Sequence, residues 1–275
     1  MDDIIGKEDF INNIKVCIIT VAKNENEWIE ECIKYHFNLG FDRIIIIDNN
    51  SEENKTIYDD DRVEIIPERV QFGDDWGGIG GIQSQLINKA LDVVRSENFD
   101  YCACIDVDEF IELRKHNNIK EFIYDELYKN GKNIAEVLWE FYDDNDIIYE
   151  KDTKKSIVET YTRKASKYIE IARKSIFKVY DETVFEFAHF PPPRLFDSGL
   201  YSVSYTNPNV AVIRHYRTKC LETFIRNKVK NNICNKGFDN GANKDIINFY
   251  FSYNELTIEK VKGLIYLLKK YDVEI

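Results

Sequence analysis

Three carboxylates end a short apolar run near the middle of the chain. Residues 101–105 resemble a buried β-strand, and Asp106, Asp108 and Glu109 follow directly. Because a sheet interior does not tolerate unpaired charge, we expect these acids to lie where the strand leaves the core. Asp106 and Asp108 point the same way if the strand geometry continues. Two neighbouring carboxylates suit Mg²⁺ or Mn²⁺, with substrate phosphates completing the shell, which favours a metal-dependent enzyme acting on a diphosphate. The alternative is a solvated turn.

Composition narrows the class of protein. The chain has 275 residues, of which 44% are hydrophobic and 31% charged, as in a soluble globular domain. A net charge of −12 argues against a nucleic-acid binder, although basic residues are concentrated in 151–236, where they would suit a phosphate-rich ligand. The six cysteines lack zinc-site spacing, and neither a signal peptide nor a transmembrane run is predicted. We therefore expect a reduced, cytoplasmic protein.

The first part of the chain alternates between strand-like and helix-like patterns, which predicts a parallel sheet with right-handed crossovers. Predicted strands cover 16–21, 43–48, 63–66, 101–105, 134–141 and 210–213, and predicted helices cover 26–39, 83–94, 119–128, 221–233 and 258–271. Polar residues follow three of the early strands, at 23–25, 48–49 and 106–109. The carboxyl edge of an open α/β sheet is where ligands bind. No Gly-X-Gly-X-X-Gly follows the first strand, which disfavours a dinucleotide site.

Four ordered segments resemble the GT-A-fold glycosyltransferases, in particular the family 2-like branch related to family 92. These segments are 21–25 (Val-Ala-Lys-Asn-Glu), 47–51 (Ile-Asp-Asn-Asn-Ser), 106–110 (Asp-Val-Asp-Glu-Phe) and His215-Tyr216. The resemblance covers roughly residues 14–235. It implies an α/β, Rossmann-like, mostly parallel sheet with flanking helices. It also implies transfer of a sugar from a nucleotide-sugar, with Mn²⁺ or Mg²⁺ on the diphosphate. We expect one domain over 1–275, with a nucleotide-binding half at 1–110 and an acceptor-side half at 111–275.

The resemblance also implies a metal site. Asp106 would contact the ribose and the metal, Asp108 would be the principal metal ligand, and His215 would add a ligand from the second half. A set that includes histidine suits Mn²⁺ better than Mg²⁺. The alternative for His215 is a cap of the helix that follows.

The nucleotide contacts follow in the same way. Asp48 resembles the acid that accepts a hydrogen bond from uracil, which points to UDP, and Ala22 and Glu25 would line the nucleotide. Lys219, four residues beyond His215, would pair with a phosphate. The alternatives are turn chemistry for Asp48 and a solvated side chain for Lys219.

An inverting transferase also needs a base to take the proton of the acceptor hydroxyl. The candidates are Glu109, Asp143, Asp144 and His189, because residues 139–144 give no clear match to the usual family base.

The sequence is thus interpreted as a cytoplasmic, metal-dependent hexosyltransferase of surface polysaccharide synthesis. Its expected partners are a nucleotide-sugar donor and a saccharide or lipid-linked acceptor, with peripheral membrane association and no nucleic acid. The alternatives are a sugar-phosphate nucleotidyltransferase and a non-catalytic nucleotide- or glycan-binding protein with the same fold. The nucleotidyltransferase is disfavoured because residues 22–25 replace the Gly-rich, basic loop that normally follows its first strand.

Overall fold

The computed structural model describes residues 5–49, 51, 58–69, 81–154, 156–166, 172–185, 202–230 and 243–274. The contacts divide the chain into two compact units, one built from residues 1–139 and 171–213 and the other from 140–170 and 214–275. The expected single domain over 1–275, with a nucleotide-binding half at 1–110 and an acceptor-side half at 111–275, stays a prediction.

The first unit is an α/β structure, which confirms the expected fold class. Its early elements are α1 (Lys7–Asn13), β1 (Val16–Ala22), α2 (Asn26–Asn38), β2 (Arg43–Asn49), β3 (Val63–Glu68), α3 (Ile82–Ser96), β4 (Tyr101–Cys104) and β5 (Glu109–Leu113). The strands β3, β2, β1 and β4 are neighbours in that order, and all three pairings are parallel. The sequence predicted each of these four strands to within two residues and missed α1 and β5.

The central strands of the sheet are apolar along their whole length, and helix α3 packs against them. Leu86, Ile87 and Leu91 of α3 belong to one buried cluster with Ile45 and Cys102 of the sheet. Such continuous apolar strands are typical of parallel sheets that are buried on both faces.

Helix α2 ends where the sequence predicted it. Gly40 adopts a φ of +96°, a backbone conformation that glycine tolerates and that commonly ends a helix. A Cβ atom at Gly40 would also lie 3.3 Å from the Cβ of Asn118, so this turn has little room for a side chain.

The sheet continues through the later strands. These strands are β6 (Ile134–Phe141), β7 (Arg173–Lys178), β8 (Val203–Tyr205) and β9 (Ala211–His215). Across the described residues, nine strands form one sheet in the order β3-β2-β1-β4-β7-β6-β9-β5, and β8 pairs with β6. Strand β7 is antiparallel to both β4 and β6. The antiparallel strand β7 thus lies beside the end of β4, where the three carboxylates emerge.

Several helices contain π-helical turns. The predicted helix at 119–128 consists of α4 (Ile119–Phe122), a π-helical turn (Ile123–Leu127) and a 3₁₀ turn (Tyr128–Asn130). The predicted helix at 221–233 begins as α-helix at Leu221–Phe224 and continues as a π-helical segment at Ile225–Lys230. Short π-helical turns of this kind are insertions into an otherwise α-helical path.

The second unit is mostly helical where it is described. It holds a 3₁₀ turn (Glu150–Asp152), α5 (Ile157–Thr160), α6 (Leu221–Phe224) with its π-helical extension, α7 (Asn243–Tyr253) and α8 (Ile258–Tyr271). Phe224, Ile246, Tyr250 and Leu267 lie in its buried apolar cluster. Helix α8 has the predicted bounds, and the Thr257 side chain caps it by accepting a hydrogen bond from the Lys260 backbone N–H.

Candidate functional site

The polar ends of three strands meet at one edge of the sheet in the first unit. Ala22, the last residue of β1, is directly opposite Asp48 of β2. Strand β4 runs beside β1 on the other side, and the Ile105 N–H donates to the Ile19 carbonyl over 3.1 Å. Asp106 therefore emerges at the same edge as the ends of β1 and β2, as the sequence predicted from parallel strands.

Asp106–Glu109, called the acid turn below, closes on itself through two hydrogen bonds. The Glu109 N–H donates to the Asp106 carbonyl over 3.0 Å, and the Asp106 N–H donates to Glu109 Oε2 over 2.9 Å. The side chain of Asp106 is 32% exposed, whereas Asp108 is 7% exposed and Glu109 is fully buried. The turn thus offers Asp106 at its rim and uses Glu109 to hold its own backbone.

Lys174 of β7 reaches the acid turn from the neighbouring strand. Its Nζ lies 3.1 Å from Asp106 Oδ2 and 3.5 Å from Glu109 Oε2. The lysine is only 2% exposed, and the ring of Trp139 lies 5.9 Å from the ammonium. Burial alone would lower the pKa of Lys174, but the carboxylates of Asp106 and Glu109 outweigh it and hold the pKa above its ordinary value. The two acids thus favour the protonated, cationic form of the lysine.

Sequence reasoning missed Lys174. The residue lies between Arg173 and Ser175 in a basic stretch where a solvated side chain is the ordinary expectation. Its partner Asp106 is 68 residues away along the chain. The only available signal was the general excess of basic residues in this segment, and that excess does not single out one lysine.

Glu109 contacts the backbone of the acid turn. Burial raises the pKa of its carboxyl, and the nearby Lys174 ammonium opposes this rise. Its Oε2 accepts a hydrogen bond from the Asp106 N–H and lies 3.5 Å from Lys174 Nζ. A general base must reach the proton that it abstracts. These contacts organise the acid turn, and the role of Glu109 as the base stays a prediction.

Asp48 takes part in a small hydrogen-bond network at the same edge. Its Oδ1 accepts from the Ser51 N–H over 3.1 Å and from Ser51 Oγ over 2.5 Å. Ser51 Oγ in turn accepts from the Asn24 N–H over 3.0 Å, so one serine connects the ends of β1 and β2. This is the turn chemistry that the sequence left open as the alternative for Asp48. The contact of Asp48 with uracil stays a prediction.

The two other nucleotide-contact candidates of the first unit lie at the end of β1. Ala22 is buried, and Glu25 is half-buried at the N-terminus of α2, where its carbonyl accepts from the Trp28 N–H over 2.9 Å. Their contacts with a nucleotide stay predictions.

His215 and Lys219 belong to the second unit. His215 is 5% exposed, and its ring packs against Phe141 with the ring centroids 5.2 Å apart. Its carbonyl accepts from the Tyr142 N–H over 3.1 Å. Lys219 is buried and has a φ of +53°, an uncommon backbone conformation for a residue with a side chain. Their roles as metal ligand and phosphate partner stay predictions.

The other candidates for the base either contact basic residues or lie outside the described residues. Asp143 Oδ2 forms an ion pair with Arg163 Nε at 2.6 Å, and Arg163 Nη1 also pairs with Asp146 Oδ2 at 2.7 Å. Asp144 is fully buried and bonded to Lys260 over 2.8 Å. His189 lies outside the described residues. The identity of the base therefore stays a prediction of the sequence.

The donor chemistry of the acid turn fits a small divalent cation. Asp106 and Asp108 supply hard carboxylate oxygens at a sheet edge, and Mg²⁺ and Mn²⁺ sites commonly combine one or two carboxylates with phosphates and water. In the described part of the chain, no group of three or more His, Cys, Asp and Glu side chains is arranged to hold a metal ion. Metal binding by Asp106 and Asp108 stays a prediction.

An α/β sheet with such an acid turn at its carboxyl edge is the arrangement expected of a GT-A glycosyltransferase. The model of glycosyltransferase family 92 matches residues 93–251, more than half of the 275-residue chain. The chain belongs to glycosyltransferase family 92. The match includes β4, the acid turn and Lys174.

A curated relative supports the same family. A glycosyltransferase family 92 protein of Ricinus communis is 27% identical over 124 residues, which are 45% of this chain and 21% of the relative. The aligned part of this chain thus spans about a fifth of that relative's length.

Solved structures give a weaker likeness. Glucosyl-3-phosphoglycerate synthase from Mycobacterium tuberculosis, in complex with Mn²⁺, UDP and glucosyl-3-phosphoglycerate, is similar with a TM-score of 0.30 and 15% identity, over 48% of this chain and 47% of that chain. The same enzyme with Mn²⁺, UDP-glucose and phosphoglyceric acid gives a TM-score of 0.32 and 16% identity, over 48% and 46%. At TM-scores this low the likeness carries no conclusion about this chain.

None of the described helices has the length and apolar character needed to cross a membrane.

Proposed function

We propose that this protein transfers a sugar from a UDP-sugar to a saccharide or lipid-linked acceptor in surface polysaccharide synthesis, with Mn²⁺ or Mg²⁺ bound at the acid turn. The observation that carries the proposal is the acid turn itself, Asp106–Glu109, at the carboxyl edge of the sheet within the segment that matches glycosyltransferase family 92. A reduced, cytoplasmic setting is supported by the five described cysteines, all of which are free thiols in the interior.

Different residues of the chain would bind the metal, the uracil ring and the phosphates of the donor. Asp108, with Asp106, would hold the diphosphate-bound cation, and the cation supplies the positive charge that stabilises the leaving diphosphate. Asp48 would accept a hydrogen bond from the uracil ring while Ser51 fixes its carboxylate. Ala22 and Glu25 would line the nucleotide. His215 would add a further metal ligand, and Lys219 would pair with a phosphate.

The fixed geometry of the acid turn supports the proposed roles of Asp106 and Asp108. Glu109 bonds the Asp106 backbone, and Lys174 contacts both side chains, so the turn is held before any ligand arrives. Preorganised groups need little rearrangement when charge develops in the transition state. The positive charge of Lys174 also offsets part of the repulsion between Asp106 and Glu109.

A donor screen tests the proposal. A panel of UDP-, GDP- and CDP-sugars would be incubated with the protein and Mn²⁺ without acceptor, and release of the nucleoside diphosphate would be measured. We expect slow hydrolysis of at least one UDP-sugar, abolished by EDTA and restored by Mn²⁺. In that reaction water attacks the anomeric carbon, the bond to the phosphate oxygen breaks, and UDP leaves.

Asp108→Asn is the matched variant for that screen. It should lower hydrolysis by about 100-fold or more, the scale expected when a group that stabilises transition-state charge is removed. Asp146→Asn, which removes an acid of the second unit, is the control and should hydrolyse the donor at the wild-type rate. Hydrolysis that persists in EDTA, or in Asp108→Asn at the wild-type rate, would contradict the proposal.

A further inference from the structure

The two carboxylate oxygens of Asp106 have different surroundings. Oδ2 faces inward and lies 3.1 Å from Lys174 Nζ. Oδ1 accepts a longer hydrogen bond, 3.4 Å, from Gln83 Nε2. A charged partner at 3.1 Å holds an oxygen far more strongly than a neutral amide at 3.4 Å. A ligand at this edge would therefore displace the amide from Oδ1 before it displaced the lysine from Oδ2.

Lys174 cannot easily turn away from Asp106. The lysine is 2% exposed and also lies 3.5 Å from Glu109 Oε2, which is itself fully buried. Moving the ammonium would separate a buried cation from both of its acidic partners, and such a change is strongly unfavourable. The orientation of the Asp106 carboxylate is thus set from inside the protein.

This orientation has a consequence for metal coordination. An oxygen that already contacts a lysine ammonium is a poor ligand for a divalent cation, because the two positive charges repel each other, so Asp106 would coordinate through its other oxygen. Mg²⁺ and Mn²⁺ accept single oxygens in compact octahedral shells, in which phosphates and water fill the remaining positions. Ca²⁺ prefers six to eight oxygens and commonly takes both oxygens of a carboxylate.

We propose that Lys174 is a positioning residue that restricts Asp106 to coordination through one oxygen, and that it thereby makes the nucleotide site select Mn²⁺ and Mg²⁺ over Ca²⁺. The inference rests on the proposed function, because it assumes that a divalent cation binds at the acid turn. It goes beyond that function by naming what sets the choice of ion.

Competition between two ions of equal charge tests the inference directly. Free Mn²⁺ would be measured by its electron paramagnetic resonance signal in the presence of wild-type protein and UDP, and Ca²⁺ would be added until the signal returns. The result is the ratio of the two affinities. Because both ions are divalent, a change in the net charge of the site acts on both affinities and cancels in the ratio. A change in coordination number does not cancel.

Lys174→Met is the informative variant. It should free Asp106 Oδ2 and shift the affinity ratio towards Ca²⁺ by about tenfold, a typical effect of altering a residue behind a metal ligand. Lys260→Met is the matched control, since Lys260 is a second buried lysine that pairs with two aspartates, Asp144 and Asp146. Its loss should leave the ratio unchanged.

A second variant covers the case in which Lys174→Met does not fold. Lys174→Met combined with Glu109→Gln removes both charges of the buried pair, and replacement of such a pair as a unit is tolerated much better than loss of one partner. The double variant should show the same shift towards Ca²⁺. An unchanged ratio in the folded variants, or an equal shift in Lys260→Met, would overturn the inference and leave the proposed function intact. Absence of Mn²⁺ binding by the wild type with UDP would overturn both.

Discussion

The two units each bury a lysine, and the surroundings of the two lysines differ. Lys174 in the first unit and Lys260 in the second are 2% and 0% exposed, and each lies within 3.5 Å of two carboxylates. Around Lys260 the main acceptor, Asp144, is fully buried and also accepts a 2.5 Å hydrogen bond from the Tyr250 hydroxyl. Around Lys174 the main acceptor, Asp106, keeps 32% of its side chain exposed.

The difference separates a structural cluster from a candidate binding site. Asp144 has its oxygens occupied by a lysine and a tyrosine, and its backbone N–H donates to Asn254 Oδ1 over 2.7 Å. Such a carboxylate connects a loop to helices α7 and α8. Asp106 has one oxygen held from within and its other oxygen near the sheet edge. Buried ion pairs are weak evidence for stability, so the partial exposure of the Asp106 side chain is the feature that points to function.

The largest expected effect on stability comes from the closed cluster. Lys260→Met should lower the free energy of unfolding by about 3–5 kcal/mol, because it leaves the buried Asp144 carboxylate without its cation. Urea unfolding at neutral pH measures this loss. Lys270→Met on the same helix is the control, since Lys270 pairs with Glu222 at a side chain that is 43% exposed. Equal losses for the two variants would show that Lys260 contributes no more than a surface lysine.

A second effect concerns a histidine that connects α2 to β5, the strand that begins in the acid turn. His36 is fully buried, its Nδ1–H donates to the Cys32 carbonyl over 2.8 Å, and its Nε2 accepts from the Ile111 N–H over 3.4 Å. Burial lowers the pKa of His36 to about 4 from an ordinary value of 6.5. A proton on Nε2 would break the bond to Ile111 and bury a charge.

The sign of the pH dependence follows from that depressed pKa. Between pH 6.5 and 4 the unfolded chain takes up a proton on this histidine and the folded protein does not, so stability falls as the pH falls. The expected loss from His36 over this window is about 3 kcal/mol. The free energy of unfolding would be measured against pH for the wild type and His36→Gln. The variant should have a smaller slope between pH 6.5 and 4, and parallel curves would contradict the assignment.

The smallest expected effect comes from the exposed ion pairs of the second unit. Hydrogen bonding to Arg163 lowers the pKa of Asp146 to about 2, so this pair stabilises the protein above pH 4 and its contribution fades as the pH falls towards 2. Both side chains are nearly half exposed, and water screens the interaction. Asp146→Asn should therefore lower the free energy of unfolding by less than about 1 kcal/mol at pH 7, since Arg163 keeps Asp143 and Lys260 keeps Asp144 as a partner. A loss as large as that of Lys260→Met would erase the distinction between the buried and exposed clusters.

Much of the fold was predictable because it depends on local patterns. The continuous apolar runs of β1 and β2 and the periodicity of α8 were sufficient to place these elements nearly to the residue. Helix α1 was missed because it is short and has one buried residue, Phe10. Strand β5 was missed because it begins with Glu109, a buried acid whose charged partner Lys174 lies far along the chain.

The candidate site was predictable only in part, for the same reason. The position of Asp106 and Asp108 follows from where an apolar strand ends, and that is a local signal. Lys174 reaches Asp106 because an antiparallel strand from much later in the chain pairs with β4. The contact between Lys174 and one oxygen of Asp106 is therefore a consequence of the tertiary fold, and the sequence of the acid turn alone does not predict it.

Asp108 and the rest of the acid turn are proposed to hold a divalent cation together with a nucleotide diphosphate. Isothermal titration of the wild type with UDP, with and without Mn²⁺, tests it directly. We predict that Mn²⁺ strengthens UDP binding by about tenfold or more, and that Asp108→Asn removes this strengthening while unfolding at the wild-type temperature. UDP binding that is equally strong without Mn²⁺, or that Mn²⁺ strengthens equally in Asp108→Asn, would contradict the account.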